Sequence, residues 1–126
     1  MSTNPRRVSR FRALRGATTT TANSAPAIAD ATKELLAQLL ERNRLTSEHL
    51  VSLIFTATPD LDAAFPAAAA RSLGLDVPLL CAQEMRVPDA PARCIRVLLH
   101  VEVEDEYAEL RPVYLRGATA LRSDLS

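Results

Sequence analysis

Glycine is scarce in this chain, and its scarcity removes a whole class of sites. With only three glycines there is no Gly-rich loop to bring backbone N–H groups against a phosphate, so the common nucleotide-binding loops are excluded. Cysteine and histidine are as sparse. Cys81, Cys94, His49 and His100 stand apart, with no CxxC pair and no Cys/His cluster, so neither a metal nor another cofactor is expected. The two thiols fall in apolar runs and are expected to stay reduced, as in a cytoplasmic protein. An excess of one charge is missing too. The formal net charge is zero, which argues against nucleic acid or an anionic membrane surface as the main partner. No apolar run approaches the roughly 18 residues needed to span a membrane. The N-terminal segment carries Arg6, Arg7, Arg10 and Arg12 without any apolar stretch, so it is not read as a secretory signal. Residues 1–10 are expected to form a disordered basic extension ahead of one domain over residues 11–126.

What is present is an ordinary globular balance, 48% hydrophobic and 24% charged. A chain of 126 residues buries roughly 65–70% of its unfolded surface. The pattern predicts a strand over Phe11–Thr19, ending in the β-branched run Thr18-Thr19-Thr20-Thr21. Asn23 and Ser24 then offer N-caps and Pro26 falls in the first turn. A helix is expected from there to about Asn43, with a stripe of Ile28, Ala31, Leu35, Leu36, Leu39 and Leu40. Further strands are expected at Leu50–Thr56, Val77–Gln83, Arg93–Val103 and Arg111–Leu115, with Arg93–Val103 central. Between Ala63 and Leu73 an Ala-rich stretch interrupted by Pro66 reads as a loop and short helix closed by Gly74. The acidic run Glu102–Glu109 reads as a solvated connection, and the last ten residues as a tail with one helical turn. The expected class is α+β, a mixed five-stranded sheet with one long and one short helix. So little helix cannot cover both faces of the sheet, so one face is left to solvent or to another subunit.

Three charges fall in or beside apolar strands: Arg15, Glu84 and Arg96. Side chains alternate along a strand, so Arg96 shares a face with Cys94 and Leu98, while Ile95, Val97 and Leu99 take the other. A charge among apolar neighbours costs several kcal/mol unless it is paired. One Arg and one Glu can satisfy each other; a second Arg leaves positive charge over, which suits a small anion. Nothing else in the chain offers chemistry. No His is placed to activate a Ser or Thr, and no pair of carboxylates shares a strand. The set left over is several Arg, Glu84, Tyr114 and Cys81. It can bind and orient a polyanion and stabilise growing negative charge, but it holds no base poised near neutrality.

In residues 12–125 the chain resembles the monofunctional AroH-class chorismate mutases. The resemblance is carried by Arg15-Gly16-Ala17-Thr18-Thr19, Thr56-Ala57-Thr58-Pro59-Asp60-Leu61, Ala64-Phe65-Pro66-Ala67, Val77-Pro78, Cys81-Ala82-Gln83-Glu84-Met85, Cys94-Ile95-Arg96-Val97, Val113-Tyr114-Leu115 and Leu121-Arg122-Ser123-Asp124-Leu125. It implies an isomerase that rearranges chorismate to prephenate by a concerted [3,3] shift, without a cofactor, on the way to phenylalanine and tyrosine. It also implies a homotrimer, a pseudo-α/β barrel with active sites between subunits. By the same resemblance Arg96 approaches the ether oxygen, and Glu84 accepts a hydrogen bond from the ring hydroxyl with Cys81 beside it. Arg15 and Tyr114 hold carboxylates. Phe65, Ala67 and Arg71 come from the neighbouring subunit, Arg122 helps close the site, and Leu115 lines its apolar wall. Two departures are visible: Ala68 stands where members often carry Lys, and Leu79-Leu80 replaces a more polar pair beside Cys81. Two other functions fit the bare residue set, a trimeric imine or enamine deaminase and a non-catalytic small-anion-binding protein.

Overall fold

A computed structural model of the chain describes residues 10–125, with side chains to residue 121. Apart from Arg10, the expected N-terminal extension therefore lies outside the described residues. Five strands and two helices follow in the order β1 (Phe11–Thr19), α1 (Ala25–Arg42), β2 (Leu50–Ala57), α2 (Pro66–Ser72), β3 (Leu79–Gln83), β4 (Cys94–Glu102) and β5 (Val113–Tyr114). The sheet order is β3-β2-β4-β1-β5. β4 is central and antiparallel to β1 and β2, while β3 runs parallel to β2 and β5 parallel to β1. The mixed α+β architecture is the one the hydrophobic pattern implied.

Local chemistry explains the element ends. Ser24 caps α1 by accepting the Ala27 N–H at 3.2 Å, and Pro26 sits where its missing N–H costs nothing. At the other end Asn43 donates to the carbonyls of Leu39 and Arg111 and accepts the Arg111 N–H at 2.7 Å. One side chain thus closes the helix and ties it to the chain entering β5. Gly74 adopts φ +82° just beyond α2, the left-handed conformation that favours glycine. Gly16 has a different reason. A Cβ there would lie 2.7 Å from Leu39 Cδ1, so its bare backbone lets α1 settle closely onto β1.

Both helices pack on one face of the sheet. Ile28, Leu35, Leu36 and Leu39 of α1 and Ala67 and Ala70 of α2 bury against Leu14, Leu53, Phe55, Ile95, Val97 and Leu99. The alternation on β4 is as expected, with Ile95, Val97, Leu99 and Val101 buried and Arg96, Leu98 and His100 half-buried on the open side. The opposite face carries Arg15, Ile54, Thr56, Leu80, Arg96 and Leu98, and among the described residues no helix packs on it; only Leu121 of the tail reaches its edge. β5 is shorter than expected, at two residues. The tail is more ordered, because Arg116–Leu125 forms a 3₁₀ segment rather than a single turn. Arg116 anchors it: φ is +53°, Nε donates to Glu34 at 3.1 Å and Nη1 to the Thr19 carbonyl. Gly117 N–H adds a bond to Thr19 Oγ1.

Candidate active site

The open face carries a cavity of about 320 Å³ lined by Arg15, Gly16, Ala17, Ile54, Thr56, Arg96, Val97, Leu98, Tyr114 and Leu121. Strand register assembles it. Ala17 of β1 pairs with Arg96 of β4 and with Tyr114 of β5, while Arg15 pairs with Leu98, so the two guanidiniums lie diagonally on neighbouring strands. On the other flank Thr56 of β2 pairs with Arg96. Glu84 lies one residue past β3, held in line by its N–H bond to the Ala57 carbonyl at 2.9 Å. Its carboxylate spans β2 to meet Arg96, whose Nε donates to Oε2 at 3.0 Å. The Thr56 hydroxyl donates to the same oxygen at 2.8 Å. Oε1 takes no hydrogen bond among the described residues.

The expected surplus of positive charge is present, but it is not buried in the protomer. Arg96 has a 43% exposed side chain and Glu84 a 15% exposed one, and Arg15 is exposed. Arg15 and Tyr114 make no side-chain hydrogen bond or ion pair among the described residues. The desolvation cost anticipated for Arg15 is therefore absent from one isolated subunit, because its strand looks onto an uncovered face.

The start of β4 is fixed by a local network. Thr58 and Cys94 exchange bonds through the Thr58 hydroxyl and both backbones, and Asp60 Oδ2 accepts the Arg93 N–H at 2.9 Å. Burial acts to raise the Asp60 pKa, but the Thr58 hydroxyl, the Arg93 N–H and the Arg93 charge together hold it below the usual carboxylate value. Cys94 is fully buried, and burial pushes its thiol up to about 11, partly countered by the adjacent Arg96 guanidinium. A neutral thiol with no exposure is no nucleophile at neutral pH.

The structure divides the residues expected to form the site. Arg15, Arg96, Glu84 and Tyr114 come together. Phe65, 71% exposed, and Cys81 lie instead at a separate cavity of about 440 Å³ with Ala57, Ala64, Ala82 and Gln83. Cys81 pairs with Phe55 and packs toward the core, on the other face of the sheet from Arg96, so it is not beside the Glu84 carboxylate in one protomer. Ala67 is a core side chain, while Ala68 and Arg71 are exposed on α2. Leu79 packs on the core, and Leu80 is 59% exposed on β3. Leu115 packs against the core; the apolar residue of the tail that lines the Arg96 cavity is Leu121. The side chain of Arg122 lies outside the described residues. Thr56 and Leu121 were not singled out by the sequence reading, although both fall inside quoted motifs. Thr56 carried only a weak signal, as one of two hydroxyls, with Ser52, flanking Ile54 on one face of an apolar strand.

No described helix is long and apolar enough to cross a membrane. Comparison with known proteins points one way. A chorismate mutase AroH of Thermus thermophilus is 47% identical over 116 residues, 90% of this chain and 95% of the relative. One from Bacillus subtilis is 41% identical over 118 residues, covering 92% and 93%. A solved chorismate mutase from Clostridium thermocellum superposes with a TM-score of 0.83 at 44% identity, over 86% of this chain and 98% of that one. Residues 11–125 match the family described as chorismate mutase type I, and the chain belongs to that family.

Proposed function

We propose that the chain rearranges chorismate to prephenate in the cavity between β1, β4 and β5, by orientation and electrostatic stabilisation alone. The observation that carries this reading is the charge array of the open face. An Arg96–Glu84 pair is braced by Thr56, and Arg15 stands free across the same cavity. Chorismate bears two carboxylates, a ring hydroxyl and an enolpyruvyl ether. Arg15 and the Tyr114 hydroxyl bind carboxylate; Glu84 Oε1 accepts from the ring hydroxyl. In the rearrangement the ether C–O bond breaks as the new C–C bond forms, and negative charge grows on the oxygen. The Arg96 guanidinium meets that charge in a site already organised to hold it. Leu121 and Ile54 supply the apolar wall. No proton moves and no covalent intermediate forms; among the described residues of one subunit the cavity is lined by neither His nor Cys.

The site is completed between subunits. The uncovered sheet face and the exposed Phe65 and Leu80 support a homotrimer. In it Phe65, Arg71 and the β3 edge of one copy complete the Arg96 cavity of the next, while Ala67, buried in its own core, takes no part. Arg122 closes the mouth from the tail. Residues 11–126 form the catalytic domain, and residues 1–10 lie outside it. Two unpaired thiols, Cys81 and Cys94, fit a reducing compartment and hence the cytoplasm. Neither the deaminase nor the anion-binding alternative draws support from the relatives. Purified protein mixed with chorismate is expected to remove the ultraviolet absorbance of its diene with stoichiometric prephenate. Tight binding without turnover would overturn the reading.

A further inference from the structure

We propose that Thr56 is a positioning residue, which fixes the Glu84 carboxylate so that Oε1 is the oxygen offered to the substrate. The inference rests on the reading above and concerns a residue whose hydroxyl acts on the reacting atoms through Glu84. Thr56 sits on β2 between the two strands that carry the charged pair, in register with Arg96 of β4 and Ala82 of β3. Glu84 is two residues beyond Ala82, so its side chain must pass over Thr56 to reach Arg96. A carboxylate held by one contact is free to turn, because its terminal torsion is broad and two-fold. Here two donors converge on one oxygen, Thr56 Oγ1 at 2.8 Å and Arg96 Nε at 3.0 Å. Together they saturate Oε2 and leave Oε1 without a partner among the described residues. The β-branch makes Thr stiff at χ1 and so aims the hydroxyl. On an apolar strand Val would pack as well and favour the strand equally. The one thing Val lacks is this donor.

The test uses the whole protein with Thr56→Val, Thr56→Ala and Thr56→Ser, on chorismate and on an analogue lacking the ring hydroxyl. Thr56→Val is expected to lose on the order of 10-fold in kcat/KM, chiefly in kcat, as for a hydrogen bond to a charged group. Its melting temperature is expected to stay at the wild-type value. Thr56→Ser restores most of the rate, and Thr56→Ala, the fallback if the Val variant folds poorly, repeats the loss. On the analogue without a ring hydroxyl the Val variant matches wild type, because Oε1 has nothing to meet. Wild-type turnover in Thr56→Val would overturn the positioning role while leaving the mutase reading intact. So would an equal loss on both substrates, or failure of Ser to rescue. Absence of chorismate turnover in the wild-type protein would instead remove the mutase reading, and the positioning role with it.

Discussion

Arg96→Ala is expected to lower kcat by about 10²–10³-fold, equivalent to about 2.7–4 kcal/mol of transition-state stabilisation, the usual effect of deleting one donor at a developing oxyanion. The protein is expected to stay folded. Arg96 is 43% exposed in the protomer and its strand is held by backbone pairing on both sides, so the core beneath it is untouched. Glu84 keeps its Thr56 bond in the variant. Arg96→Lys should recover little, because Nε of the planar fork engages Glu84 while the terminal nitrogens serve the cavity, and an ammonium cannot do both. Steady-state kinetics with circular dichroism on the same samples check this. Near-normal turnover in Arg96→Ala would remove Arg96 from the mechanism.

The second large effect is recovery from two inactive proteins. Phe65→Asp places a charge at the second cavity, on a 71% exposed side chain that the fold does not depend on. Each variant alone should be poorly active. If each pocket takes Arg96 from one subunit and Phe65 from the next, every mixed ring of three contains one intact interface. An equal mixture after subunit exchange should then regain about a quarter of wild-type activity. Exchange is confirmed by native mass spectrometry. Confirmed exchange without recovery would show that the pocket belongs to one subunit.

The sequence made most of the fold legible because its signals were local. Ser24 and Pro26 marked the start of α1, its apolar stripe marked the buried side, and alternation on β4 separated the Ile95–Val97–Leu99 face from the Arg96 face. β5 was harder, since only Val113 and Tyr114 pair and residues beside a short strand look the same in sequence. The tail was underestimated because its order comes from distant partners, Glu34 and Thr19, which Arg116 and Gly117 reach only in the fold. In the site, Arg15, Glu84 and Arg96 stood out as charges in apolar runs. Thr56 did not, because its importance is the oxygen it shares with Arg96. Leu121 and Leu115 are interchangeable to the eye. Only the placement of the 3₁₀ segment directs one to the cavity and the other to the core.

The central claim is that fixed charges and orientation carry the reaction, with no proton in flight. The most direct measurement is the pH dependence of kcat together with the solvent deuterium effect on the chemical step. Acid–base catalysis places limbs at the pKa values of the acid and base, and no His is among the described residues that line the cavity in one subunit. kcat is expected to be nearly flat from about pH 6 to 9, the range between ordinary carboxylate and arginine ionisations, with equal rates in light and heavy water once viscosity is matched. A bell-shaped profile centred near neutrality, or a deuterium effect that survives the viscosity control, would contradict it.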